Sequence, residues 1–275
     1  MQLLKRCFSF YIYGNIHVAL AAYCLTKITL LQFDIHNQSL ANFIFFSTVL
    51  AYNCIRFFQL KNINSMTSIW ILANKKGLII LNILAFMGVF YFGVDFKGKD
   101  LWVLLPLILT TIFYVIPLTE KIKGLRHIPG LKLILISFTW AGITMYLPVY
   151  MAGLNETPQL WLYFLKRFLF VMAITIPFDI RDASFDLPEL STLPQLLGVP
   201  ISKIIALAAI LMVLGVDWQL DTLDAAYFGI DLFIVILSLL MIAFTTENRG
   251  RYYTAFWIES LPIFWYVLYL VPNYV

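Results

Sequence analysis

Nine stretches of this sequence are apolar for long enough to cross a lipid bilayer, at about residues 8–32, 39–60, 77–94, 101–118, 131–152, 159–179, 200–216, 225–244 and 253–272. Crossing about 30 Å of hydrocarbon takes about 20 residues of helix. Lipid offers no hydrogen bonds, so the backbone must be satisfied within helices or within a closed barrel. A barrel would show short segments alternating apolar and polar residues, and stretches such as Leu101 to Leu109 do not alternate. The sequence therefore predicts an all-α integral membrane protein of about nine transmembrane helices, forming a single transmembrane domain over residues 1–275.

Composition agrees. Hydrophobic residues make up 61% of the chain and charged residues 12%, where a soluble domain has about 25% charged. The mean hydropathy is +0.86. The net charge of +4 comes without a basic stripe carrying interleaved exposed aromatics, so nucleic acid is excluded as a partner and membrane lipid is the surrounding medium. Cys7, Cys24 and Cys54 show no paired spacing, so neither a disulfide framework nor a zinc site is suggested. The apolar run after Met1 to Arg6 lacks a small-residue cleavage site followed by polar sequence, and reads as a retained first span.

Basic residues sort to one side. With nine spans, the connections on the N-terminal side hold Lys5, Arg6, Arg56, Lys61, Lys75, Lys76, Lys121, Lys123, Arg126, Lys132, Arg181, Lys203, Arg249 and Arg251. The other side holds Lys97, Lys99, Lys166 and Arg167, while Lys27 falls inside the first span. The expected orientation is an N-terminus in the cytoplasm and a C-terminus outside, in a bacterial inner membrane. Trp161, Tyr163, Tyr252, Tyr253 and Tyr274 suit interfacial belts. The basic run Thr119 to Lys132 suits anionic headgroups.

Asn15, His17, Asn82, Asp231 and Glu259 lie within spans, where polar side chains are costly and turn toward the bundle interior. Asp231 is expected to pair with a Lys or Arg across the bundle, and Glu259 has no evident partner. The densest polar feature is the sequence Ile-Pro-Phe-Asp179-Ile-Arg181-Asp182-Ala-Ser-Phe-Asp186 at the inner end of the sixth span. Acids at relative positions 0, 3 and 7 share one helix face. Three carboxylates at a low-dielectric boundary repel one another unless a cation neutralises them, and Mg2+ is the hard ion suited to carboxylate and phosphate oxygens. A solvated acidic loop, with Arg181 pairing locally, explains the same residues more plainly.

Phe-Asp-Ile-Arg-Asp-Ala-Ser-Phe-Asp, trailed by Ser191-Thr192-Leu193-Pro194-Gln-Leu-Leu-Gly198, resembles the second aspartate-rich motif of the UbiA superfamily of intramembrane prenyltransferases. The resemblance implies a UbiA-like bundle around a central cavity that opens sideways to lipid, with magnesium holding a polyprenyl diphosphate. Asp182 and Asp186 match the family's DxxxD pair and Asp179 the acid often preceding it, so the resemblance makes these three metal ligands and gives Asp182, Asp186 and Arg181 catalytic roles. The family's first motif, NDxxDxxxD, should lie near Asn53, but here Asn53 is followed by Cys54, Phe57 and Lys61 where the acids belong. No Asp or Glu occurs between Asp34 and Asp95. Arg56 and Lys61 are candidates to contact diphosphate directly, with Asn53 a polar remnant; Arg56 snorkelling to the interface is the competing account.

The implied function is transfer of a polyprenyl group from its diphosphate to a lipophilic, aromatic acceptor. The alternative is a catalytically impaired member of that family that binds an isoprenoid or quinone, or acts as a scaffold. An unrelated transporter would show interrupted helices in two matching halves, a pattern not evident in the sequence.

Overall fold

The computed structural model describes residues 2–58, 66–115, 128, 130–184, 191–220 and 225–271, and every described element is helical. In chain order the elements are α1 (Gln2–Tyr13), α2 (Ile16–Gln32), α3 (Gln38–Phe58), α4 (Met66–Ala73), α5 (Lys75–Gly93), α6 (Gly98–Val115) and α7 (Leu131–Ala141). A π-helical turn, Gly142–Tyr146, joins α7 to α8 (Leu147–Met151). Then come α9 (Leu160–Asp182), α10 (Leu193–Gln219), α11 (Ala225–Ala243), a second π turn (Tyr253–Ile258) and α12 (Leu261–Leu270).

Among the described residues, five helical stretches are long and apolar enough to cross a membrane: α3, α5, α7 through α8, α9 and α10. A sixth is obtained if α1 and α2, bent by 57° at their junction, form one broken span. The chain is thus an all-α protein with the character of an integral membrane protein.

Helix α2 runs through the middle, buried from His17 to Leu30 on all but one narrow stripe. It packs on α3, α12, the first π turn and α8, while α9 packs on α7 and α10. The largest core cluster joins Leu25, Ile28, Phe170, Ile176, Ile210 and Trp265 from these helices.

The breaks have local causes. Asn15 adopts the left-handed conformation, φ 62°, which Asn tolerates better than most residues. A Cβ on Gly14 would lie 2.6 Å from the Phe10 carbonyl oxygen, so only glycine permits the turn. The carbonyls orphaned there are taken up by α3: Asn53 Nδ2 donates to the Gly14 oxygen at 3.3 Å, and Arg56 Nη1 donates to the Tyr13 oxygen at 2.7 Å. Asn15 Nδ2 donates in turn to Asn53 Oδ1 at 2.7 Å.

The first π turn sits just before Pro148, whose ring excludes the usual bond to the Thr144 carbonyl. Thr29 Oγ1 of α2 supplies the missing donor at 2.8 Å. In α10, Gly198 has φ 79° and ψ 161° and Pro200 follows, so the helix is kinked there. The segment Thr192-Leu193-Pro194 is a helix start, with Gln195 Oε1 accepting from the Thr192 backbone N–H at 3.0 Å. Gln195 Nε2 also reaches the Ala183 oxygen at 3.5 Å, tying the entry of α10 to the exit of α9.

Candidate functional site

Polar side chains gather at two levels of the bundle. One level lies at the Asp182 end of α9, here called the motif end. The other lies about 22 Å away along the same helix, around Lys166, at the distal end.

At the motif end, Asp179 is buried and its Oδ1 accepts from Lys132 Nζ of α7 at 2.6 Å. Arg181 forks onto its neighbour Asp182, with Nε to Oδ1 at 2.7 Å and Nη2 to Oδ2 at 2.6 Å. Its remaining arm, Nη1, donates to Thr254 Oγ1 in the second π turn at 2.6 Å. The guanidinium also lies over the Phe178 ring, 5.3 Å from its centre. Glu259 is within electrostatic reach of both Arg56 and Arg181, and Arg56 is in reach of Arg181 and Arg251 as well. The arginines at the two sequence-predicted motif positions, on α3 and α9, thus lie within electrostatic reach of the same acid, Glu259, without bonding to it.

His17 lies beside this cluster. Its Nε2 is 3.0 Å from the Phe256 carbonyl oxygen, which can only accept, so Nε2 carries the proton. Nδ1 therefore accepts from the Tyr11 hydroxyl, 2.7 Å away. Tyr11 also lines a groove of about 370 Å³ with Arg6, Cys7, Phe10, Ile16 and Asn74.

Of the residues expected from sequence to form the site, Arg56, Arg181, Asp182 and Asp179 are found at one end of the bundle. Asn53 is there too, but both ends of its amide are committed to the Gly14–Asn15 break. Asp186 and Lys61 lie outside the described residues. Asp179 and Asp182 sit one turn apart with oxygen donors of the right hardness for magnesium. As arranged, however, each is matched by a cationic side chain, and both oxygens of Asp182 are engaged by Arg181. The pair as placed does not fit a metal ion, and no group of three or more His, Cys, Asp or Glu suited to one occurs among the described residues.

No family model matches the sequence, and neither a curated protein nor a solved structure is similar to it.

Sequence reasoning missed two partners at the motif end: Lys132 for Asp179 and Thr254 for Arg181. Its position as the second residue of α7 was the available signal for Lys132, since it places the ammonium at the level where α9 ends.

The distal level was mislocated rather than missed. Lys166 and Arg167, expected in an outer connection, lie inside α9 about 9 Å from its start, and both are 3% exposed. Lys166 Nζ pairs with Asp231 Oδ2 of α11 at 2.6 Å and also with Asp217 Oδ1 of α10. The expected cross-bundle cation for Asp231 is therefore Lys166. Asp231 further accepts from Trp265 Nε1 at 2.6 Å and from the Tyr269 hydroxyl at 2.9 and 3.0 Å. Arg167 donates to the Leu25 oxygen at 2.7 Å and to Thr29 Oγ1 at 3.2 Å. Two cations face two carboxylates, so the network is neutral and can be buried at tolerable cost.

Proposed function

We propose that this protein is a UbiA-like intramembrane prenyltransferase that moves a polyprenyl group from its diphosphate to a lipophilic aromatic acceptor. The observation that carries this reading is the convergence of Arg56 and Arg181 from non-neighbouring helices at the end where the acidic motif lies. Guanidinium groups fork onto phosphate oxygens, and this pair would replace the acid cluster missing from α3. In this reading the nine apolar segments are nine spans surrounding a central cavity open to lipid. The N-terminus is cytoplasmic, the C-terminus outside, and the membrane is the bacterial inner membrane.

The reaction breaks the bond between prenyl C1 and the diphosphate oxygen, and the electron pair leaves with diphosphate. A carbon–carbon bond then forms to the electron-rich acceptor carbon, which loses its proton to the released diphosphate. The chain's contribution is to hold the leaving diphosphate on Arg56 and Arg181, with Lys61 as a further cation, and to stabilise the charge that develops there. Thr254 holds Arg181 in position and the Tyr13 carbonyl holds Arg56. Of Asp179, Asp182 and Asp186, the ligands expected for magnesium, the last two are probed by substitution.

The D182N and D186N variants, assayed with radiolabelled prenyl diphosphate in membranes with and without magnesium, are expected to lose about 100-fold in turnover. Unchanged turnover in both would sink the catalytic role of the motif.

One observation favours a second reading, a non-catalytic isoprenoid- or quinone-binding or scaffold protein: Asp182 is already fully engaged by Arg181. That reading expects an isoprenoid or quinone to bind without release of diphosphate, so the radiolabelled assay on the wild-type protein separates the two.

A further inference from the structure

The side of α2 that is only half-buried carries Ile16, Leu20, Tyr23, Lys27 and Leu31, every third or fourth residue. Along its distal half, Leu20 and Tyr23 form one wall of a groove of about 410 Å³, completed by Asn42, Phe45 and Phe46 of α3 and Phe92 of α5. The floor is aromatic and rigid. Phe46 stacks on Phe92 with ring centres 5.8 Å apart, and sits against Gly88, where a Cβ would have no room.

The upper edge of the groove is polar and already organised. Lys27 Nζ donates to Gln38 Oε1 at 2.8 Å, and Gln38 Nε2 donates to the Tyr23 hydroxyl at 2.8 Å and to Asn42 Oδ1 at 3.0 Å. These bonds hold the Lys27 ammonium and the Asn42 amide at the mouth. They leave two ammonium protons, the Asn42 N–H groups and the Tyr23 hydroxyl proton available to an acceptor. Among the described residues no carboxylate pairs with Lys27, in contrast to Lys132, Lys166 and Arg181. An unmatched cation within a span, about 8 Å from the end of α2, is costly unless an anion reaches it.

We propose that this groove binds one anionic phospholipid of the distal leaflet. The headgroup phosphate is received by Lys27, Asn42 and Tyr23, and the first part of one acyl chain lies along Leu20, Phe46 and Phe92. The charge argues for an anionic rather than a zwitterionic lipid. The groove runs about 10 Å from Lys27 to Leu20, parallel to the helices, which suits a chain hanging from an interfacial head. The site is at the end opposite the acidic motif, and it depends on neither reading of the protein's function.

The test is native mass spectrometry of the full chain in nonionic detergent, with added phosphatidylglycerol or phosphatidylcholine of identical chains. The wild-type protein is expected to retain one phosphatidylglycerol about tenfold more tightly than phosphatidylcholine, the scale of one charge-assisted bond. K27Q should erase that preference, and L20W, which fills the groove, should weaken both lipids. Equal retention of the two lipids by the wild type overturns the proposal, as does an undiminished preference in K27Q. Glycerol phosphate binding as tightly as the lipid would show a bare anion site and overturn it equally. If K27Q does not elute as a folded species, N42L serves in its place, and an undiminished preference in that variant is decisive against the proposal.

Discussion

Lys166 is the residue on which the distal end turns. It neutralises carboxylates from two different helices, Asp217 of α10 and Asp231 of α11, while its side chain is only 4% exposed. Removing it leaves two carboxylates buried without their cation, whereas neutralising the two acids along with it leaves no unmatched carboxylate there. K166M is therefore expected to destabilise the protein by about 3–5 kcal/mol, and K166M combined with D217N and D231N by distinctly less. Thermal unfolding in detergent, followed by helical circular dichroism, measures both. At the motif end, R181K retains the charge but not the fork that holds Asp182 and Thr254 together. Under the proposed function it should weaken prenyl diphosphate binding about tenfold, with helix content unchanged. Calorimetry against the wild type reads the difference.

Among elements, the broken pair α1–α2 has the most specific requirements. Its junction exists because Gly14 admits a close carbonyl and Asn15 accepts a left-handed backbone, and it is stable because Asn53 satisfies the freed groups from α3. N53L removes a donor and an acceptor from a site where water cannot replace them. It is expected to cost about 2–3 kcal/mol, again read by thermal unfolding. G14A should be similarly harmful, because its methyl group would meet the Phe10 carbonyl. These details show where legibility in the sequence stopped. The run 8–32 is apolar throughout and reads as one span, since hydropathy records where the chain is comfortable and not where its backbone bends. The signs of the bend, Gly14-Asn15 and the Asn53 that answers it, are 38 residues apart in sequence. Pro148 likewise marks the first π turn only after the partner of the freed Thr144 carbonyl is known.

For the whole molecule, the alternation of basic connections makes a definite claim. A reporter active only in the cytoplasm should work when fused at the N-terminus and fail when fused after the last apolar segment. Equal activity at both ends would rule out an odd number of spans.

The all-helical, membrane-embedded character was determined by sequence alone, because nine long apolar runs leave the backbone no other way to satisfy itself in lipid. The acidic motif was equally legible, since Asp179 and Asp182 are close in sequence and a helix puts them on one face. Only the tertiary structure decided what those acids meet: Lys132 from α7 for one, and Arg181, braced by Thr254, for the other. It also moved Lys166 and Arg167 from an outer connection into the core. The reason is physical. A buried charge is tolerable only if a counter-charge reaches it, and Asp217 and Asp231, 51 and 65 residues further along the chain, come within reach only when the helices pack.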